Sequence, residues 1–187
     1  MRERVEEVIS NVGFDFVNSK VRVQAVEDFQ AIELPGLRVG PFTKGERHVL
    51  PLWVAEELER KGIVRISEAA GLSPDDLITI HHRETGLAKG LFEIPSDFYP
   101  RLRRLLAEVE KEATRNPDKL THLNRLRNMA RDIVNVRLKK IVSLASSMAR
   151  SPLMKKNLTP EEIFVFEIIG AITDAWREKV IEYASSR

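Results

Sequence analysis

Between residues 73 and 162 the chain uses one short device three times: Ser73-Pro74-Asp75-Asp76, Asn116-Pro117-Asp118 and Thr159-Pro160-Glu161-Glu162. In each, a side-chain oxygen stands where it can cap free backbone N–H groups. A proline takes the first helical position, where an N–H has no partner anyway, and acids follow at the positive end of the helix dipole. Thr159 and Glu162 also have the spacing of a capping box. With a fourth start at Ser96-Asp97, these signals divide the second half of the chain into helices over Pro74–Glu84, Asp97–Arg115, Pro117–Ser147 and Pro160–Ser185. A helix of about thirty residues is about 45 Å long, more than one short neighbour can cover.

The first half has a different period. Val5, Val8, Ile9 and Val12 sit at helical spacing, and Asn11-Val12-Gly13 reads as the end of that short helix. From Lys20 the repeat becomes two: Val21, Val23 and Ala25 alternate with Lys20, Arg22 and Gln24, as in a half-buried strand. Phe29–Leu34 and Leu37–Val39 follow as strand candidates across a Pro35-Gly36 turn, and His48-Val49-Leu50 as another. Pro51 opens a helix that runs through Lys61 until Gly62 stops it, and Ile63–Ile66 returns to strand. The expected fold is therefore α+β, a small N-terminal β-rich domain followed by a C-terminal α-helical bundle. Its boundaries fall at 1–66 for the β-rich domain, 67–90 for a junction and 91–187 for the helical domain.

Composition narrows the function. Across 187 residues there is no cysteine, which removes disulfides, thiolate nucleophiles, iron–sulfur clusters and cysteine-based zinc sites. A net charge of +2 is smaller than a dedicated nucleic-acid binder usually carries. The acidic N-terminal residues do not read as a signal peptide, and the longest apolar runs fall far short of the roughly 20 residues that span a bilayer. The expectation is a soluble cytoplasmic protein, not exported.

Chemistry-bearing patterns are scarce. Gly36, Gly40 and Gly45 lie among strands and turns without the Lys-Ser or Lys-Thr of a phosphate-binding loop, and no serine has a nucleophile elbow. His81 and His82 are adjacent, so on a helix they diverge by about 100° and do not chelate together. With Glu84 they read as a half-exposed polar segment. Of the acidic pairs, Asp75-Asp76 and Glu161-Glu162 sit in first helical turns, where the dipole accounts for them. The reading is of no catalytic residue, no cofactor and no metal.

The apolar stripes are the stronger signal. The last helix carries Phe166, Ile169, Thr173, Trp176, Val180 and Tyr183 in a heptad-like seam, and the helix from Asp97 offers Phe98, Leu102, Leu105, Leu106 and Val109. These stripes fit the core of a three-helix bundle. They also fit, in part, a subunit interface, because helices apolar over more than one narrow stripe cannot cover one another completely. Phe98, Leu102, Leu105, Phe166, Ile169, Trp176, Val180 and Tyr183 are the candidate interface residues, Trp176 and Tyr183 being the best anchors. A second feature is basic: Arg127, Arg131 and Arg137 share a broad helix face that meets either phosphates or acids of a neighbouring helix.

The segments Leu34-Pro-Gly-Leu-Arg-Val-Gly-Pro-Phe42 and Leu50-Pro-Leu-Trp-Val-Ala-Glu-Glu-Leu58 resemble the small β-domain of GINS replication-complex subunits. Ile94-Pro-Ser-Asp-Phe-Tyr99, Val136-Arg-Leu-Lys-Lys-Ile-Val-Ser-Leu-Ala145 and Leu158-Thr-Pro-Glu-Glu162 are similar to that family's helical domain. The resemblance covers residues 20–66 and 91–183, and its order, β part first, is similar to the archaeal "two-three" type of subunit. It implies a non-catalytic scaffold in DNA replication, forming a heterotetramer with the α-domain-first GINS subunit. It further implies that the tetramer links the MCM helicase to a RecJ/Cdc45-like protein at the fork. The alternative is a direct nucleic-acid-binding module that uses the Arg127, Arg131 and Arg137 face.

Overall fold

A computed structural model describes residues 1–34, 36–67, 71–86, 90–148 and 152–185, with backbone alone for Leu34, Pro152 and residues 182–185. The chain forms two compact units, Ser10–Gly71 and a second made of Met1–Ile9 with Leu72–Arg187. A strand-containing N-terminal region thus precedes a helical C-terminal region, the α+β order read from the sequence.

In the first unit, β1 (Lys20–Ala25) is the middle strand of an antiparallel sheet, flanked by β4 (Arg47–Pro51) and β5 (Val64–Ile66). Its alternation is realised in burial: Val21, Val23 and Ala25 are buried, while Lys20, Arg22 and Gln24 face solvent. The register sets Val21 opposite Leu50 and Ala25 opposite Val64, which gathers the apolar side chains on one face. A separate hairpin, β2 (Ile32–Leu34) and β3 (Leu37–Val39), is closed at its base by a bridge between Phe29 and Phe42. The turn expected at Pro35-Gly36 lies partly outside the described residues.

Helix α2 (Leu52–Arg60) packs Leu52, Ala55 and Leu58 into the same core. It ends in a Schellman motif: Gly62, at φ 79°, donates to the Glu59 carbonyl at 2.9 Å, and Ile63 donates to that of Leu58 at 3.0 Å. Pro51 is the last residue of β4 and the N-cap of α2, one position earlier than its expected place inside the helix.

Helix α1 (Arg2–Asn18) runs through Gly13, where the sequence reading stopped it. A glycine within a helix costs about 1 kcal/mol, and burial of Phe16 in the sheet core offsets that.

The helical unit contains α3 (Pro74–Thr85), α4 (Phe98–Arg115), α5 (Leu120–Ala145) and α6 (Pro160–Ser185), with 3-10 turns at Pro117–Lys119 and Pro152–Lys155. Two starts form as their sequences require: Ser73 and Asp76 make a reciprocal capping box, and Thr159 pairs with Glu162. The helix expected from Pro117 opens instead as a 3-10 turn, with Asn116 accepting from the Asp118 N–H, and α5 itself begins at Leu120. Leu77 of α3 is fully buried among Leu102, Leu105, Leu126 and Ile133, so α3 is part of the helical core although it falls in the stretch read as a junction. On α5 the buried positions run Leu123, Leu126, Ala130, Ile133, Arg137, Ile141 and Ala145, a series of three- and four-residue steps with one arginine in it.

Candidate functional site

Arg137 lies on α5 between two apolar clusters, one ending at Ile133 and the other beginning at Ile141, and is wholly enclosed. A guanidinium has five N–H donors in a planar fork, and burial demands a partner for each. All five are used. Nε donates to Glu162 Oε1 at 2.6 Å and Nη2 to Glu162 Oε2 at 2.7 Å, a bidentate pair. Nη2 also donates to the Asn157 carbonyl at 2.8 Å, and Nη1 donates to the Phe92 carbonyl at 3.0 Å and to Glu84 Oε1.

The two carboxylates are as fully engaged. Glu162 also accepts from the Tyr99 hydroxyl at 2.6 Å and, as the acid of the capping box, from the Thr159 N–H at 3.0 Å. Glu84 accepts from Lys140 Nζ at 2.8 Å and from the Phe92 N–H at 3.2 Å. Arg137 and Lys140 therefore balance Glu84 and Glu162 in charge. The network joins the last turn of α3, the first turn of α4, the middle of α5 and the first turn of α6 at one level. Burial works against the charge on Arg137, but the hydrogen bonds and negative charge of Glu162, with that of Glu84, more than offset it and raise its pKa further. Burial first, and the neighbouring Glu162 carboxylate second, push the Tyr99 phenol well above its ordinary value.

This centre is a clamp made of residues whose types suggested other roles. Arg137 was a candidate for phosphate contact, and its enclosure takes it off the surface. Arg127 is exposed but paired with Glu110 at 2.6 Å, and Arg131 is exposed. Glu84, expected on a half-exposed polar segment, is fully buried. The overlooked signal was position: Arg137 falls in the Leu123–Leu126–Ala130–Ile133 series, the seam that faces the bundle. Among the described residues, no group of three or more His, Asp or Glu side chains is placed to hold a metal ion.

The first turn of α6 is held through Glu162, and farther along the helix Arg177 donates to the Ser146 carbonyl at the end of α5. The candidate interface residues divide along α6 and its neighbours. Phe98, Leu102 and Leu105 lie in the chain's own core with α3 and α5, and Phe166 is buried with Ile141 and Ala145, so these four are not surface. Ile169 is partly buried at the margin of the second cluster. Trp176 is 65% exposed and Val180 50%, with Ile172, one turn before Trp176, at 54%. Ile172, Trp176 and Val180 recur at four-residue steps and form an apolar ridge open to solvent on the second half of α6. The Tyr183 side chain lies outside the described residues.

The helices are thus fastened by a buried, charge-balanced clamp, and the long α6 carries an exposed apolar ridge of the kind found where helical bundles pack against other chains. The family model of the GINS complex protein helical bundle domain (Sld5) matches residues 71–181. The chain belongs to the GINS family, and membership implies formation of a complex with other GINS subunits and a role in the GINS complex of DNA replication. No curated protein matches the chain in sequence. The matched region begins at α3, in agreement with the place of that helix in the bundle core.

Proposed function

We propose that the chain is a non-catalytic scaffold subunit of the GINS complex, of the β-domain-first "two-three" type found in archaea. It assembles with the α-domain-first subunit into a heterotetramer. The observation that carries this reading is the Ile172–Trp176–Val180 ridge, three large apolar side chains each at least half exposed on a helix whose first turn is hydrogen-bonded to the clamp. Such a surface is stabilised when another helix removes it from water, at about 25 cal/mol per Å² of apolar area. The order of the two regions, strands before helices, supports the subunit type.

Within that complex the protein acts by holding others in place. A tetramer that binds both the MCM helicase and a RecJ/Cdc45-like protein raises their effective concentration for each other without new chemistry. The setting is the cytoplasm, at replication forks on the nucleoid. Co-expression with an α-domain-first GINS subunit of the same genome tests the assembly. A stable complex of defined mass supports it, and a chain that stays monomeric beside that subunit contradicts it.

A further inference from the structure

Beside the clamp, α4, α5 and the first turn of α6 enclose an apolar cleft of about 270 Å³, lined among others by Ile9, Val134, Leu138, Val165, Arg103 and Glu161. Glu161 is the anomaly. The residue is only 8% exposed, and neither carboxylate oxygen has a hydrogen-bond partner. Glu162, the next residue, spends both oxygens on Arg137, Tyr99 and Thr159. Arg103 lines the same cleft but makes no bond to Glu161. Both oxygens are shielded from water with no donor, so an N–H-bearing group brought into the cleft would restore hydrogen bonds that burial has removed, and a cationic one would do so most strongly.

The surroundings define what would carry that cation. Tyr99 and Glu162 also line the cleft, but their oxygens are committed to the clamp, and the one remaining carboxylate does not make a metal site. The cleft opens onto a ridge on α5, where Val134, Leu138 and Val142 are each about two-fifths exposed at four-residue spacing. An occupant must therefore bring apolar side chains to cover this ridge and one basic group to reach the acid. We propose that the cleft is a socket for a lysine or arginine set in the apolar face of a partner chain's helix. The site is separate from the α6 ridge, and it rests on the assembly reading only for the source of the partner.

Benzamidinium, an apolar ring with a guanidinium-like head, serves as the probe of the socket, titrated into the full-length chain with methyl-labelled Ile, Leu and Val. It should shift the methyl signals of Ile9, Val134, Leu138 and Val165. Loss of a charged hydrogen bond should weaken this binding roughly tenfold or more in Glu161→Gln, and neutral benzamide should bind correspondingly less to the parent chain. Equal binding of benzamide, indifference to Glu161→Gln, or no methyl shifts would overturn the socket. A thermal melt of Glu161→Gln at or above the parent's confirms that the fold is kept. With a co-expressed GINS subunit, Glu161→Gln and Leu138→Asp should each weaken the complex. A complex formed with unchanged affinity in both variants defeats the socket and leaves the assembly reading standing. If no complex forms with the parent chain, the assembly reading fails, and the benzamidinium result still decides the socket.

Discussion

At the scale of single residues, Arg137 shows how a charged side chain becomes part of a core. Its net contribution to stability is small, because the cost of removing its charge and two carboxylates from water offsets most of the attraction between them. Breaking the set is another matter. Arg137→Met leaves Glu84 and Glu162 buried with donors missing and should cost about 3–5 kcal/mol in urea unfolding. Arg137→Lys keeps the charge but not the planar fork, so it should fall between the two.

Tyr99 gives a pH signature. Its folded-state pKa is raised, so the stability it contributes is complete below the ordinary phenol value near 10 and declines as pH rises past it. Unfolding measured across pH 9 to 11 should show a steeper loss in the parent than in Tyr99→Phe, by up to about 1.4 kcal/mol per pH unit. Parallel curves would contradict the burial of the phenol beside Glu162. Read by residue type alone, Arg137 joined Arg127 and Arg131 as a basic face. Read by its place in the seam, it had to point inward.

At the scale of elements, the helix starts were the most legible part of the chain, because a cap, a proline and an acid act within four residues and need no tertiary information. The Ser73–Asp76 box is an example, with Asp76 held below the ordinary carboxylate range by its bonds from the Ser73 hydroxyl and backbone. A lowered folded pKa contributes stability above the ordinary value and loses it as pH falls through the folded one. Ser73→Ala should therefore cost about 1 kcal/mol near neutral pH, and the difference from the parent should shrink below pH 4.

Helix ends were less legible where a distant contact decides. Gly13 carries the sequence mark of a stop, yet Phe16, three residues on, draws α1 forward into the sheet core. Gly62 does stop α2, because its positive φ is needed for the Schellman bonds. Gly62→Ala should cost about 1–2 kcal/mol, although open space surrounds the position. Helix α3 was read as a helix but placed in a junction, since its one fully buried apolar residue, Leu77, leaves too faint a stripe to show which unit owns it.

At the scale of the whole molecule, the succession of a sheet-forming unit and a helical bundle follows from a change of period, from two residues between Lys20 and Ala25 to three and four along α4 and α5. Which apolar residues are core and which are surface does not. Phe98, Leu102 and Leu105 differ from Trp176 and Val180 only in having neighbours, and neighbours depend on how the helices cross. The clamp at Glu162 holds the first turn of α6, and Ile172, Trp176 and Val180 farther along it stay exposed among charged neighbours such as Asp174 and Glu178. The most direct measurement is the light-scattering mass of the chain co-expressed with an α-domain-first GINS subunit, for the parent and for Trp176→Glu with Val180→Glu. The parent should elute as one heterotetramer, and the double variant as separate subunits that remain folded by circular dichroism. An intact heterotetramer from the double variant would show that the α6 ridge is not the surface on which the complex is built.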